Sequence, residues 1–536
     1  MITAIKDTSD TVLNLNRNYA ELFAGCGGMS LGIESEGFKR VFANELSPMP
    51  AATYAFNLIH KKEPKESNPE KWFTRLYSPE KNGDYKSDPR QYLNKPITET
   101  AFQKLLKFNG DMFVGGISQL NKALCQIPKS SLRRLELDIL SGGPPCQSFS
   151  LAGQREFNNP RNALPFEFAK CASLLKPKVV LLENVSGILS PFMDKDGQKW
   201  YAWYEVAKAF YSKGYIPICT HAEARDYGTP QKRSRFVMIA IRKDLALQAT
   251  KKLNILSDDL KREWQSTRRA LENSINHFEN LEPSLKAGPE GFDYLEPDEK
   301  WPSRLLPLNR NYIDVESAID GLTFPQSNKD ADYLATLSSS FDHVISNPKL
   351  DITTFDERQN RAHRKHSTIV KSRFRVLRLL ANRKGAKVDN KQLQELDYHE
   401  EKWLLEQNLI FPKENSLETR KPRDLIELRE LLLSLKSKKH SQRALIYNQI
   451  APAQLSIPDD FAHYAEDRTL TVREMARIQS FPDWFEFKSK VTTGGEQRGF
   501  EVPRYTQVGN AVPPLMAKQI AQGIRDFLNT IEEKND

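Results

Sequence analysis

Four side chains able to do chemistry stand at the ends of short apolar runs in this chain. Cys146 lies in "LELDILSGGPPCQSFS" (Leu135–Ser150). Leu137, Ile139 and Leu140 read as a strand that Gly142 and Gly143 stop, and Pro144 and Pro145 then fix φ and stiffen the exit. A packing cysteine normally sits inside an apolar run. This one follows a rigid turn, where an open α/β sheet holds its reactive groups. On that segment alone, a nucleophile and an incidental thiol are equal readings. Glu183 closes a second run, "KVVLLENVSGIL" (Lys178–Leu189), where a strand-end hydrogen bond is the plain alternative. Arg233 and Arg235 open a third, in "ARDYGTPQKRSRFVMIAIRK" (Ala224–Lys243), with Gln231 two residues earlier. Strand alternation puts these three on one face. A thiolate can add to an electron-poor carbon, a carboxyl group can move a proton, and a guanidinium can steady developing charge.

A glycine-rich turn supplies a binding partner for that chemistry. In "ELFAGCGGMSLGIESEGF" (Glu21–Phe38), Gly25, Gly27 and Gly28 follow a strand and let the backbone approach a ligand. Glu45 ends the next strand, "VFANEL", where an acid can accept both hydroxyls of a ribose. The pair points to a nucleoside cofactor. The sequence has neither G-x-G-x-x-G nor G-x-x-x-x-G-K-[ST], which argues against dinucleotides and nucleoside triphosphates.

Elements that could position these groups fill the first 245 or so residues. Tyr19–Phe23, Val41–Glu45, Leu137–Leu140, Val179–Leu182, Ile216–Thr220 and Arg235–Ile241 read as buried strands, with helical patterns such as Phe166–Leu175 between them. This alternation predicts an α/β fold with a doubly wound, mostly parallel sheet. Lys61–Lys95 is polar, spotted with proline and too long for a simple connection, so it reads as an insertion. After Lys243 the chain turns charge-rich and loses the βα rhythm until "RTLTVREMARIQSFPDWFEF" (Arg468–Phe487) and "RYTQVGNAVPPLMAKQIAQGI" (Arg504–Ile524). The expected division is residues 1–244 for the first part of a catalytic domain, 245–498 for an inserted domain whose variable part is about 245–465, and 499–536 for the return.

The chain has 536 residues, a formal charge of +9 and five scattered cysteines without a C-x-x-C pair. That cysteine pattern favours reduced thiols in a cytoplasm over disulfides or a zinc site, and no metal is expected. Mean hydropathy is −0.59. No apolar run has the roughly 20 residues of a membrane helix, and the N-terminus lacks a signal-peptide core. Between Arg358 and Lys387 there are 11 Lys or Arg in 30 residues and no acid. The plain reading is a solvated basic helix face; the functional one is a phosphate-binding surface.

A thiol, a carboxyl group and guanidinium groups beside a nucleoside site suit methylation at carbon 5 of cytosine. A thiolate adding at C6 makes that carbon nucleophilic, a carboxyl group at N3 favours the addition, and an arginine at O2 holds the ring. At this point the sequence resembles the DNA cytosine-5 methyltransferases of the prokaryotic restriction–modification type. The resemblance rests on "FAGCGG", "GGPPCQSFS", "ENV", "QKRSR", "RTLTVREMARIQSFP" and "QVGNAVPP", in the family's order and over about half the chain. It implies the Rossmann-like fold of class I S-adenosylmethionine-dependent methyltransferases, with an inserted target-recognition domain. It implies S-adenosylmethionine contacts from Phe23, Ala24, Gly25, Gly27, Gly28, Glu45, Leu46, Pro145, Leu164, Asn510 and Val512. It makes Cys146 the nucleophile, Glu183 the N3 carboxyl and Arg233 and Arg235 the site arginines. Residues 151–161 match a loop that closes over a flipped base. Gln147, Ser150 and Gln231 are expected at DNA, and Arg361, Arg364 and Lys365 at its phosphates.

Two positions depart from the family pattern. Gly116 stands where an acid usually contacts adenine, and Leu46 where an aromatic often follows the ribose acid. The implied partner is double-stranded DNA, with a separately acting cognate restriction endonuclease as a possible companion and a monomer as the expected state. A tRNA cytosine methyltransferase is the alternative within the same chemistry, and the roughly 220-residue variable region favours DNA. A catalytically inactive DNA-binding regulator is the alternative outside it, against which the intact Cys146, Glu183 and arginine pair argue.

Overall fold

The computed structural model describes residues 16–59, 72–78, 88–145, 163–193, 199–281, 288–296, 303–344, 360–412, 419–439, 441–454 and 456–533. Its centre is an eight-stranded sheet of β1 (Asn18–Leu22), β2 (Lys39–Glu45), β3 (Thr74–Arg75), β4 (Asp111–Val114), β5 (Leu137–Gly142), β6 (Val179–Val185), β7 (Tyr215–Glu223) and β8 (Ser234–Arg242). The spatial order is β3-β4-β2-β1-β5-β6-β8-β7. All neighbours are parallel except β8, which runs antiparallel to both β6 and β7. This is the doubly wound sheet the alternating pattern predicts. The two-residue β3 and the four-residue β4 escape the sequence reading because such short runs carry too little periodicity.

Strand alternation builds two cores. Ala20, Leu22, Leu140, Val180, Leu182 and Met238 face one layer, which includes α3 (Leu164–Leu175). Tyr19, Ile139, Val179, Leu181, Val237 and Ile239 face the other, which includes α1 (Gly28–Ser35) and the C-terminal helix Pro514–Glu532. Near-continuous apolar strands such as "VVLL" follow from covering both faces.

Residues beyond 245 still pack on the sheet, although the composition changes there. Leu245, Ala249, Leu253, Leu271 and Ile275 share the core of Ile139 and Val237, so α4 (Gln265–Glu279) belongs to the sheet's own body. Residues Val315, Ile319, Tyr333 and Leu337 pack with α2 (Pro48–Leu58) and with α7, defined below. These helices are amphipathic, and their charged faces dominate the composition while one stripe is buried. A separate core gathers Phe374, Leu377, Leu380, Leu404, Leu428 and Leu432, from α5 (Thr368–Lys384), the helix Tyr398–Glu406 and α6 (Leu425–Ser434). This core draws on residues from Phe374 to Ile446 and on Ala462. The return comprises α7 (Val472–Ile478), α8 (Arg504–Asn510) and α9 (Pro514–Glu532). Among the described residues, no helix is long and apolar enough to cross a membrane.

Candidate active site

β2 lies on one side of β1 and β5 on the other, so the winding reverses there and a crevice opens at the strands' carboxyl ends. The expected cofactor residues meet on one side of it. Phe23 leaves β1 with φ 54, a left-handed conformation costly for a side-chain-bearing residue. Its ring lies 6.2 Å from that of Phe168 on α3, and Leu164 at the start of α3 packs against the same cluster. Gly28 opens α1 where a Cβ would stand 2.3 Å from the carbonyl oxygen of Val512. Only glycine lets those segments meet. A Cβ on Gly25 would meet nothing within 4 Å, so the turn borders open space. Asn510 is exposed, Leu46 and Val512 are half-buried, and Ala24 is buried.

Glu45 is already in use. Its Oε2 accepts the Gly25 N–H at 3.0 Å and its Oε1 the Ser47 N–H at 2.8 Å. A carboxylate offers about four lone-pair sites, so each oxygen retains capacity for a hydroxyl. Burial raises its pKa, and the backbone N–H groups of Ser47, Gly25 and Leu46 oppose that rise. Beneath the turn, buried Glu21 accepts the Ser30 hydroxyl, which lies 2.6 Å from that of Tyr54; burial pushes Glu21 up to about 8.

The expected carboxyl and guanidinium groups stand on β6 and at the start of β8. Glu183 Oε1 lies 2.7 Å from Arg235 Nε, and each side chain keeps 12% of its surface exposed, so the pair is reachable from the crevice. Burial raises the Glu183 pKa; the charge of Arg235, then that of Arg233, opposes it. A Cβ on Gly143 would meet Glu183 Oε2 at 3.0 Å, so this glycine leaves the carboxylate room beside the β5 exit. Asn184 Nδ2 donates to the Pro144 carbonyl at 3.1 Å, and its Oδ1 accepts the Val185 N–H at 2.8 Å. One β6 residue thus carries the carboxyl group and the next holds the Pro-Pro turn. Cys146, Gln147, Ser150 and the 151–161 loop lie outside the described residues; Pro145, just before them, is exposed.

Two expected site groups are placed otherwise. Arg233 lies beside the Glu183–Arg235 pair but is buried, donating to the carbonyls of Gln454 (3.1 Å), Gly509 (2.7 Å) and Ala511 (3.2 Å). It braces the segment carrying Asn510 and Val512. Gln231 is fully buried: its amide donates to Gln479 and to the Ile478 carbonyl, and its oxygen accepts the Gln454 N–H. The short strand Gln231–Lys232 pairs with Ala451–Pro452. Alternation gave the face, not what returns to cover it. Gly116, where the family pattern has an acid, lies against the movable end of a side chain. A Cβ there would stand 2.3 Å from Leu93 Cδ2, and the Gly116 N–H is bound by Gln119 Oε1 at 2.9 Å.

The described part of the basic run, residues 360–387, leads through an irregular stretch into α5, and much of it is neutralised. Arg375 and Arg378 both hold Asp467, Lys384 holds Glu400, Lys387 holds Asp389, and buried Arg373 donates to the Leu435 carbonyl. Arg361 lies 4.0 Å from Asp483, Arg364 pairs with Asp459, and Lys365 is exposed. A groove lined by Lys39, Arg40, Ile127, Arg134 and Leu135 lies at the amino ends of β1 and β2, away from this chemistry.

Residues 18–72 and 97–526 match the family described as C-5 cytosine-specific DNA methylase. The chain is 25% identical over 519 residues to Type II methyltransferase M.DdeI of Desulfomicrobium norvegicum, covering 97% of this chain and 91% of that one. It is 27% identical over 548 residues to DNA (cytosine-5-)-methyltransferase M.ApeKI of Aeropyrum pernix, covering 95% and 98%. Type II methyltransferase M.XorII of Xanthomonas oryzae pv. oryzae is 23% identical over 516 residues, covering 96% and 86%. With a strand order, crevice and carboxyl–guanidinium pair of this kind, and a match across most of its length, the chain belongs to the C-5 cytosine-specific DNA methylases.

Proposed function

We propose that this cytosine-5 DNA methyltransferase acts on a specific duplex sequence through a bond from Cys146 to C6 of a base turned out of the stack. The Glu183–Arg235 pair at the crevice, beside the Pro144–Pro145 exit, carries this reading. The Cys146 thiolate adds to C6 while Glu183 gives a proton to N3 and Arg235 holds O2. The electron pair released at C5 takes the methyl group. Loss of the C5 proton to a base and expulsion of the thiolate restore the aromatic ring. A stacked base cannot meet this thiol, which is the reason for flipping.

The open space before Gly25 and the spare lone pairs of Glu45 fit a nucleoside cofactor. When bound, S-adenosylmethionine supplies the methyl group. Phe23, the Ala24–Gly28 turn, Glu45, Leu46, Pro145, Leu164, Asn510 and Val512 would hold it. Arg233 acts in this scheme as a positioning residue. Gln147 and Ser150 contact the DNA, and Arg361, Arg364 and Lys365 its phosphates. The enzyme works as a monomer, and a separate endonuclease reading the same sequence is its companion. A methyl-transfer assay on duplex DNA and on tRNA tests the substrate: 5-methylcytosine should form in the duplex, and transfer to tRNA alone would overturn the reading.

Two further results are expected. Exchanging residues 360–446 for those of a related enzyme should change the methylated sequence and leave the rate of transfer within about tenfold, because that body has a core of its own. An active chimera with unchanged sequence choice would assign recognition elsewhere. Asn184→Ala removes the bond to the Pro144 carbonyl, and a bond of this kind is worth about 1 kcal/mol. Single-turnover methylation should slow by roughly tenfold, while cofactor affinity stays near the parent's, since one misplaced turn loses alignment before it loses binding.

A further inference from the structure

Three acids on the returning chain hold the basic run. Asp467, bound by Arg375 and Arg378, is 18% exposed at its side chain; Asp483, bound by Arg477 and near Arg361, is 26% exposed. Asp459 is the most open of the three at 32%, and its partners Arg364 and Lys439 are half-buried. Arg364 takes its Oδ1, and Lys439 Nζ lies 2.6 Å from its Oδ2. Lys439 belongs to a second basic stretch, "KSKKHSQR" (436–443), which the charge count around Arg358–Lys387 did not single out. Lys436 and Lys438 beside it are exposed. Two basic stretches from different parts of the inserted body thus converge on one carboxylate.

The position suits a nucleic-acid backbone. Asp459 is five residues beyond Gln454, whose carbonyl accepts the Arg233 guanidinium, so it lies within about 17 Å of that brace. The Ser456 carbonyl is bound by Thr506 of α8, which fixes the intervening chain to the catalytic body. A carboxylate with one cation on each oxygen presents the geometry of the two non-bridging oxygens of a phosphodiester. A solvent-open ion pair is weak and readily exchanged. The backbone of Asp459 is held independently, since its carbonyl accepts Gln442 Nε2 at 2.6 Å.

We propose that Asp459 is an internal stand-in for a DNA phosphate: it holds Arg364 and Lys439 in the free protein and yields both to the backbone of a bound duplex. The proposal rests on the duplex-DNA reading above and adds Lys439 to the phosphate contacts. The exchange breaks two ion pairs to one carboxylate and makes two to phosphate, so the carboxylate competes with every DNA regardless of sequence.

Affinity of the full-length protein for a short duplex of arbitrary sequence, titrated against salt, tests it. Asp459→Asn should tighten binding about threefold or more, because the competitor is gone. Arg364→Gln with Lys439→Gln should weaken binding and flatten the log–log salt slope by about two, close to 0.9 per lost contact. Adding Asp459→Asn to that pair should then give no gain. Unchanged or weaker binding by a folded Asp459→Asn protein would overturn the proposal, as would an unchanged slope in the double variant. If Asp459→Asn does not fold, the slope of the double variant decides alone. A parent protein that binds no duplex refutes the duplex reading itself; a parent with a steep slope that none of these variants moves refutes only the exchange.

Discussion

A Cys146→Ser variant is expected to leave a 5-fluorocytosine duplex free after denaturation, where the parent protein, given S-adenosylmethionine, stays attached to it. Fluorine at C5 cannot leave as a proton does, so a thiolate that has added to C6 is not expelled and the adduct survives. The expectation follows from the frame around the thiol. β5 ends at Gly142, the Pro144 carbonyl is tied to Asn184, and the next residue of β6 inward is Glu183, paired with Arg235. Serine keeps the size of the group but has far too high a pKa to supply an anion at neutral pH. Loss of a nucleophile that acts as a unit with its partners costs on the order of 10⁴-fold or more in turnover. An adduct that persists in the serine variant would place the nucleophile elsewhere.

Glu183→Gln should lower turnover by roughly 10²–10⁴-fold with little change in DNA affinity, because it removes a proton and keeps the shape. The pH dependence has a definite sign. Burial raises the Glu183 pKa against the opposing charges of Arg235 and Arg233, so its proton is retained to higher pH than on a free glutamate. The protonated form serves N3. The single-turnover rate should therefore fall on the alkaline side of that raised value, and this limb should vanish in the glutamine variant. Stability follows the same sign: the contribution of the protonated carboxyl is present at low pH and lost as pH rises through the folded-state pKa. Turnover within about threefold of the parent would reduce Glu183 to a brace for the β5 exit.

How much of this was legible in the sequence depends on how far each residue's partners lie along the chain. The six strands read from apolar runs all exist, because burial on both faces writes a strong local signal. Glu183 and Arg235 could be paired because both end strands of one sheet. Arg233 and Gln231 could not be separated from them, since Gln454, Gln479, Gly509 and Ala511, which enclose them, return from the far end of the chain. The basic run shows the same limit: its count of cations is legible, while Asp459 and Asp467 are invisible as counter-ions. The change of composition at 245 is no change of packing, because composition records the solvent face of an amphipathic helix, and α4 buries its other face on the sheet.

The packing of α9 along α1 has a consequence for how the protein is made. Met516, Ile520, Ile524 and Phe527 complete the core over one sheet face, and Cys26 touches the Gln507 carbonyl from 481 residues away. β1 and α1 are synthesised long before α9, and their apolar surface waits uncovered until α9 follows. Contacts of such separation form slowly, and the waiting surface is the kind that chaperones shield. The glycine turn, closed by Val512 against Gly28, is then among the late parts of this fold to form. A chain that stops within residues 245–465 lacks the closure of Val512 over Gly28 and is expected to show no methyl transfer.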